Sequence, residues 1–523
     1  MPPDPTIRWG ELVTDLAQLT SASVLANRIG VKDREIRRWK RGEARPQGES
    51  AERLLHECEE RSVNWRIYQK LVPVYDYKNS YEENLRDGPQ GLSVSHNPFL
   101  LPVRTRYLGY TLNSPIGLPA SPLTANADWI GLFSRYGYDV LTAKTVRTVA
   151  RKAHPFPNWV HLPGLTSPIA LDEFPASVLG QLDLPENSSM ALSAANSFGM
   201  PSPAPEVWVP DLIRAKTLLL PDQILIASIV GTADNPADDL IADFIECGRR
   251  AAEAKPHAIE VNLSCPNVYG REGSLCTNPD AAGKICQKLA EAVKPIPILV
   301  KICYLPSDNL RAIFLAVYKY VNGFSAVNTV PAAILADGQT QEPLFPGSKR
   351  ATAGVSGLAI RDYATQTARD LQALTMEYRK DLENIGIGGI TCAADAAERL
   401  ETGVRIIQLC TAVNLNPLLG QQIRKQLASP AADYAQAKFE GEIVTFSDGN
   451  VKIAYKLTSK VCKELGVPFD IGLDALRHHW LDRYQRERGR LKAGKNAARG
   501  KAPDKNEIND WIRYTLSRGK RHS

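Results

Sequence analysis

Residues 258–265 read AIEVNLSC, a short apolar run that ends in polar and reactive side chains. Residues 297–304, PILVKICY, have the same form, with Lys301 near the end of the run. In parallel sheets with both faces covered, strands are apolar runs of this kind. The two segments therefore predict strands of a parallel sheet in an α/β protein.

Further strand candidates surround these two. They are SPIGLPAS from residue 114, DVLTAKT from 139, QILIASIVG from 223, FSAVNTV from 324, NIGIGGI from 384 and RIIQLCT from 405. Helical patterns such as PDAAGKICQKLAEAVK, residues 279–294, lie between most of them. Eight strand–helix units between residues 114 and 411 fit a closed (β/α)8 TIM barrel better than an open sheet.

Polar or reactive residues follow nearly every predicted strand. They are Ser121, Lys144, Asn262 with Cys265, Lys301, Asn328 with Thr329, Gly388 with Gly389, and Thr411. The carboxyl ends of the strands of a (β/α)8 barrel meet at one rim, where the active site lies. We therefore expect these residues to share one site.

The motif EVNLSCPN, residues 260–267, resembles the signature of soluble dihydroorotate dehydrogenases and of the C-terminal barrel of dihydropyrimidine dehydrogenase. The resemblance spans residues 105–414 with its parts in the same order. These parts are Lys144, the NSFG segment 196–199, Lys301, the Asn328-Thr329 pair, the AGVSG segment 353–357 (similar to a phosphate turn) and Gly388-Gly389. It implies a flavoprotein oxidoreductase of pyrimidine metabolism.

The resemblance also implies roles for individual residues. Cys265 would be the general base that removes a ring proton while a hydride passes to the flavin, with Lys301 as a second catalytic residue; other members use serine at the position of Cys265. Substrate would bind to Asn196, Asn262, Asn267, Asn328 and Thr329. Amide donors and acceptors match the alternating C=O and N–H groups of a pyrimidine edge.

The implied cofactor is FMN. Its contacts would be Ser121, Lys144, Lys301, Gly357, Gly388, Gly389, Cys410 and Thr411. Lysine charges would stabilise a reduced, anionic flavin, and glycines allow main-chain N–H groups to approach a phosphate. The Cys at 410 and the loop GREGSLCTNP, residues 270–279, resemble dihydropyrimidine dehydrogenase, whereas Asn267 resembles dihydroorotate enzymes. The substrate thus stays open between dihydroorotate and a related dihydropyrimidine.

The nine cysteines contain no CxxC pair, so neither an iron–sulfur cluster nor a zinc site is expected, and no metal site is proposed. A route of electrons through clusters would need a separate electron-transfer partner. No apolar run is long enough for a membrane span, and the N-terminus lacks a signal-peptide pattern. We therefore expect a cytoplasmic protein that does not bind membranes.

Residues 21–46 resemble a repressor-type helix-turn-helix. Leu25 and Ala26 would pack the first helix, Gly30 would form the turn, and Val31, Ile36 and Trp39 would face a small core. The second helix would expose Lys32, Arg34, Arg37 and Arg38 to DNA. Two alternatives remain: a helical docking module with a solvated basic face, or a transcription regulator whose barrel senses a pyrimidine or redox state.

These patterns predict four segments. They are a helix-turn-helix domain at 1–62, a connector at 63–97, an FMN-binding barrel at 98–430, and a helical C-terminal extension at 431–523. The extension ends in a basic tail, RERGRLKAGKNAARGKAPDK at 486–505, which is either solvated or in contact with nucleic acid. We also expect a homo-oligomer.

Overall fold

The computed structural model describes residues 12–13, 17, 21–41, 43–44, 46–47, 49–51, 53–54, 73–90, 92, 103–184, 192–233, 239–264, 275–336, 342–347, 350, 352–428, 438–440 and 443–445. The chain divides into two compact units. One contains Met1–Leu100 with Arg104–Gln421, and the other contains Leu101–Val103 with Gln422–Ser523.

A closed barrel of eight parallel strands forms the centre of the first unit. In chain order the strands are β1 Ile116–Leu118, β2 Val140–Val146, β3 Ile224–Ile229, β4 Ala258–Asn262, β5 Ile298–Ile302, β6 Gly323–Ala326, β7 Ile385–Ile387 and β8 Ile406–Gln408. Each strand pairs with the next, and β8 pairs with β1. The predicted barrel is confirmed, because each of the eight predicted runs overlaps one of its strands.

Helices follow the strands around the barrel. They are Ala127–Arg135, Pro205–Thr217, Leu240–Glu253, Pro279–Ala292, Ser307–Val317, Arg361–Tyr378 and Ala393–Glu401, with Thr411–Leu415 and Leu419–Ala428 after β8. Short 3-10 turns lie at Pro122–Thr124, Leu275–Thr277 and Leu358–Ile360. Asn126, Asp239 and Asn278 cap three of the helices by accepting hydrogen bonds from first-turn amides.

A hairpin closes the amino-terminal end of the barrel. Its strands, Thr105–Tyr107 and Tyr110–Leu112, are antiparallel. Tyr107 and Leu112 are buried in one apolar cluster with residues of the barrel strands, among them Val140, Ile224 and Leu299. Among the described residues, apolar side chains fill this end of the barrel, whereas the polar residues lie at the carboxyl end of the strands.

A second sheet arises from the chain inserted after β2 and after β6. Its five strands lie in the order Trp159–His161, Ser193–Asn196, Ala353–Gly357, Val330–Leu335 and Ser177–Leu179. The expected turn at residues 353–357 is therefore wrong, since this segment is a strand that pairs antiparallel with Ser193–Asn196. Pairing on both edges satisfies its main-chain groups and overrides the turn preference of its glycines.

Near the amino terminus, helices Ala22–Ile29 and Asp33–Lys40 pack on a small apolar cluster that includes Leu25, Ile36 and Trp39. Gly30 ends the first helix in the left-handed conformation, with φ 73°, at the position where the sequence predicts a turn. A further helix, Tyr81–Asp87, precedes the barrel.

The C-terminal extension differs from its prediction where it is described. Lys438–Glu440 and Ile443–Thr445 form an antiparallel strand pair, so the predicted helix is wrong for these residues. The β-branched run at Ile443, Val444 and Thr445 favours a strand. The basic tail lies outside the described residues. Within the described part of the chain, no helix combines the length and the apolar character of a membrane span.

Candidate active site

A cleft of about 1030 Å³, measured out to its open mouth, lies at the carboxyl end of the barrel strands. It brings together every predicted substrate and cofactor residue that is described. These are Ser121, Lys144, Asn196, Asn262, Lys301, Asn328, Thr329, Gly357, Gly388, Gly389, Cys410 and Thr411. Cys265 and Asn267 lie outside the described residues.

A bulge in β2 places two consecutive side chains in this cleft. Ala143 pairs with Ala227 and Val146 with Ile229, so β2 has one residue more than β3 over this step. Side chains normally alternate between the faces of a strand, and an extra residue interrupts the alternation. Lys144 and Thr145 therefore both line the cleft.

Asn262, the last residue of β4, is held in one orientation. Its Nδ2 donates to Thr145 Oγ1 at 3.1 Å, while its Oδ1 accepts from Ser264 N at 3.1 Å and from Ser264 Oγ at 2.8 Å. The Nδ2 group also lies 3.8 Å from the sulfur of Met200, another cleft residue. Both N–H groups of the Asn262 amide therefore face residues that line the cleft, Thr145 and Met200.

Lys301 is only 2% exposed and sits between Asn262 on β4 and Ser325 on β6 in the strand register. Its Nζ lies 3.5 Å from the main-chain oxygen of Ala120. Burial raises the pKa of the Cys410 thiol to about 11, although a hydrogen bond with Ser121 and the positive charge of Lys301 oppose this rise. The Cys410 thiol is therefore neutral at physiological pH.

The antiparallel sheet supplies one wall of the cleft. Asn196 ends the strand Ser193–Asn196 and directs Nδ2 toward Gly354 O at 3.4 Å. Ser356 Oγ lies 2.9 Å from Thr411 Oγ1, which joins this sheet to the end of β8. Asn328 Nδ2 donates to Ser264 O at 3.3 Å. The amides of Asn196 from the second sheet, Asn262 from the barrel and Asn328 from the segment after β6 thus line one cleft.

Two observations fit a bound group in this cleft. Gln408 is fully buried and lines the cleft; its Nε2 donates to Thr142 Oγ1 at 2.9 Å, but its Oε1 has no partner among the described residues. Buried acceptors without a donor are rare, so this oxygen is placed to accept from a ligand N–H. Gly388 and Gly389, with φ 101° and 73°, form a side-chain-free segment that also lines the cleft.

Sequence reasoning missed several cleft residues. They are Thr145, Trp159, Met200 and Gln408. Gln408 precedes Cys410 by two positions, so strand periodicity would have placed both on one side. Thr145 could be found only from the bulge, and Trp159 only from the second sheet.

The four residues predicted to contact DNA, Lys32, Arg34, Arg37 and Arg38, are all exposed.

Comparisons with known proteins agree with this architecture. A family model described as dihydroorotate dehydrogenase matches residues 183–430. Dihydroorotate dehydrogenase of Dictyostelium discoideum is 31% identical over 370 residues, which cover 69% of this chain and 98% of that protein. The catalytic subunit of dihydroorotate dehydrogenase B (NAD(+)) of Latilactobacillus sakei is 30% identical over 241 residues, 46% of this chain and 73% of the relative.

A solved structure of the same kind has a similar fold. The dihydroorotate dehydrogenase of Eimeria tenella, crystallised with ferulenol, superposes with a TM-score of 0.53 at 17% identity, covering 70% of this chain and 93% of that one. This likeness supports the fold alone. The match over nearly the whole Dictyostelium protein at 31% identity, together with the family model, shows that the chain belongs to the dihydroorotate dehydrogenase family of oxidoreductases.

Proposed function

We propose that this chain is an FMN-dependent oxidoreductase that oxidises dihydroorotate, or a related dihydropyrimidine, at a ring C–C bond. The observation that carries the proposal is the convergence of Asn196, Asn262, Asn328 and Lys301 on one cleft. The names of the relatives point to dihydroorotate as the first substrate to test.

The residues present fit FMN. The unpartnered Gln408 oxygen would accept from a ring N–H, and Lys144 and Lys301 would lie beside the ring, where positive charge is favourable. The turn Gly388-Gly389 and the main chain of Gly357, Cys410 and Thr411 would hold the phosphate. When bound, FMN supplies the acceptor for the hydride that leaves the substrate.

The asparagines would orient the substrate ring. Asn262 cannot rotate without losing its bonds to Thr145 and Ser264. Its second N–H faces the Met200 sulfur at 3.8 Å, a weak acceptor that a substrate carbonyl oxygen would replace. Asn328 donates one N–H to Ser264 O, and its side-chain oxygen would accept a hydrogen bond from the substrate. A donor and an acceptor at fixed positions match adjacent C=O and N–H groups of a pyrimidine.

Cys265 is the proposed base, and its neighbour supports this role. Ser264 is buried and holds the cleft residue Asn262 through two hydrogen bonds, so the residue before Cys265 has a fixed position. A thiolate at that position would take the proton from the ring carbon.

The test is an anaerobic titration of the purified protein with dihydroorotate, followed by visible absorption. We expect a flavin band that bleaches rapidly in the wild type and slowly, by at least about 100-fold, in Cys265→Ala, because general-base catalysis contributes on that order. Cys392→Ser, which changes an exposed thiol far along the chain, is the matched control and should bleach at the wild-type rate. Bleaching at the wild-type rate in Cys265→Ala would contradict the role of Cys265 as the base. Absence of flavin after reconstitution with FMN would contradict the assignment of the cofactor.

A second candidate function, DNA binding, is favoured by one observation. Helix Asp33–Lys40 buries Ile36 and Trp39, while Lys32, Arg34, Arg37 and Arg38 are exposed around it. A helix that shows cations on its outer face is suited to phosphates and to guanine edges in a major groove. The barrel chemistry and this surface can coexist in one protein.

Fluorescence anisotropy of a labelled DNA duplex tests this second function. We expect binding that weakens with salt, so that a plot of the logarithm of the association constant against the logarithm of the salt concentration has a negative slope. The magnitude of this slope should decrease by about one in each of Arg37→Ala and Arg38→Ala. Arg250→Ala is the control, since Arg250 is an exposed arginine of a barrel helix that pairs with Glu246 and Glu253. Binding that is equally weak in all three variants, or no binding at low salt, would contradict the hypothesis.

A further inference from the structure

Arg350 is a buried arginine whose guanidinium contacts only neutral oxygens. Nε donates to Ser197 Oγ at 3.0 Å, Nη2 to Ser197 O at 3.0 Å and Pro157 O at 2.6 Å, and Nη1 to Pro155 O at 2.7 Å and Pro346 O at 3.4 Å. The side chain also lies over the ring of Phe345, 4.9 Å from its centroid. Within the described residues, no carboxylate forms an ion pair with Arg350.

An arrangement of this kind is costly, because a buried charge without a counter-ion loses its hydration. Burial lowers the pKa of Arg350 to about 10, so the group stays charged at neutral pH. The five charge-assisted hydrogen bonds offset this cost, and a lysine could not reproduce them because its ammonium lacks the planar fork. The local structure is therefore built around a guanidinium.

Four of the five hydrogen bonds of Arg350 go to two segments that contribute residues to the cleft, and the fifth goes to Pro346 O. Ser197 lies between Asn196 and Phe198, and both of these residues line the site. Pro155 and Pro157 precede Trp159, which lines it as well. Trp159 and Asn196 are also partners in the strand register, and Ser197 N donates to Asn158 O at 2.8 Å. Arg350 thus ties together two strands just beyond the point where they present side chains to the cleft.

We infer that Arg350 is a positioning residue for substrate binding, which acts by fixing Asn196 and Trp159 through Ser197 and the Pro155–Pro157 carbonyls. The inference rests on the proposed function, in which Asn196 contacts the substrate. His154 supports the same segment, since its Nδ1 lies 3.4 Å from Ser197 Oγ and its main-chain N donates to Phe198 O at 3.0 Å.

A second buried arginine offers a matched control on the other side of the site. Arg399 is 1% exposed and donates to Ile387 O at 3.2 Å, to Gly388 O at 3.0 Å and to Thr365 Oγ1 at 2.9 Å. Arg399 therefore contacts the Gly388-Gly389 turn, which is assigned to the cofactor phosphate, whereas Arg350 contacts the segments that carry Asn196 and Trp159. Equivalent changes at the two arginines should therefore damage different steps.

The experiment compares Arg350→Lys with Arg399→Lys in FMN-reconstituted protein. For Arg350→Lys we expect the KM for dihydroorotate to rise by roughly tenfold or more, with kcat within about threefold and the flavin content unchanged, because lost charge-assisted hydrogen bonds weaken placement of the substrate. For Arg399→Lys we expect faster loss of flavin and a smaller change in KM. An unchanged KM in Arg350→Lys, or the same pattern in both variants, would overturn the inference.

Two further measurements separate positioning from simple damage to the fold. Millimolar guanidinium added to Arg350→Ala should restore part of the substrate affinity, which an unfolded sheet could not regain. Hydrogen exchange of residues 192–200 should accelerate in Arg350→Lys and not in Arg399→Lys, and this readout needs no substrate. If wild-type protein fails to react with dihydroorotate, the proposed function fails, yet the exchange result still decides the role of Arg350: equal exchange in both variants rejects it.

Discussion

The side-chain amide of Asn262 donates to Thr145 Oγ1 over 3.1 Å, which joins the end of β4 to the bulge in β2. Thr145 Oγ1 in turn lies 3.0 Å from Ser228 Oγ on β3. Side chains thus link three neighbouring strands at the wall of the cleft. The bond fixes the amide that is proposed to meet the substrate, so its removal should affect turnover more than folding.

Thr145→Val tests this relationship. Valine keeps the shape of threonine but gives Asn262 no acceptor, so kcat/KM for dihydroorotate should fall by about tenfold, equivalent to ~1.4 kcal/mol. Thr367→Val is the control, because Thr367 is equally buried but bonds to Tyr363 O within an outer helix. Steady-state kinetics that change equally in the two variants would show that the effect is not specific to Asn262.

Gly389→Ala should reduce both stability and flavin content. Gly389 has φ 73°, and a Cβ there would overlap the main chain of Arg361. We expect the free energy of unfolding to fall by about 1–3 kcal/mol, with flavin released at the same time because the turn must shift. Thermal unfolding and the ratio of flavin to protein absorbance measure the two effects.

Gly109→Ala is the control for this change. Gly109 has φ 84°, but no atom lies within 4 Å of the position that its Cβ would occupy. It therefore carries the conformational strain without the overlap. A loss of flavin in Gly109→Ala as large as in Gly389→Ala would contradict the assignment of the Gly388-Gly389 turn.

His161 predicts a pH dependence of stability. Its ring is buried, stacks near Tyr77 at 6.3 Å and has no hydrogen-bond partner among the described residues. Burial lowers the pKa of His161 to about 4 from its usual 6.5, although Asp183 opposes the shift. The unfolded chain thus takes up a proton more readily than the folded one between these two values.

The contribution of His161 to stability is complete above pH 6.5 and is lost as the pH falls toward 4. We expect the unfolding midpoint in urea to decrease over this window. In His161→Phe, which keeps an aromatic ring but cannot be protonated, the decrease should be smaller. Identical pH profiles for the two proteins would show that other groups cause it.

The Cys410 thiol should resist alkylation. Because burial raises its pKa to about 11, little thiolate exists at pH 8 and the sulfur lies inside the cleft. Iodoacetamide at that pH should label the exposed Cys392 and leave Cys410 unmodified, as read by peptide mass spectrometry. Fast labelling of Cys410 at pH 8 would show that its thiol is ionised. Cys410 would then be a second candidate for the general base.

The eight barrel strands could be predicted because each is recognisable from its own short stretch of sequence. Runs such as ILVKI in β5 are apolar on both faces, and the polar residue at the end of a run marks the rim of the barrel. The position of Lys301, Asn262 or Thr411 in the cleft follows from strand direction alone. The same reasoning places Gly388 and Gly389 without any knowledge of distant contacts.

The second sheet could not be predicted in this way. Asn196 reaches the site because its strand pairs with Gly354, 158 positions further along the chain, and no local pattern announces that pairing. Arg350 looks like an ordinary surface arginine in the run PGSKRAT, yet it is 4% exposed in the structure. The bulge that turns both Lys144 and Thr145 inward is likewise a property of two strands together.

Strand order, barrel closure and the residues of the barrel rim therefore follow from the amino-acid sequence, because hydrophobic periodicity and strand ends are local features. Hydrogen bonds between segments far apart in the chain determine the position of Asn196, the contacts of Arg350 and the orientation of Asn262. Their geometry exists only after long-range pairing, since a buried donor or acceptor takes whichever partner the fold brings to it.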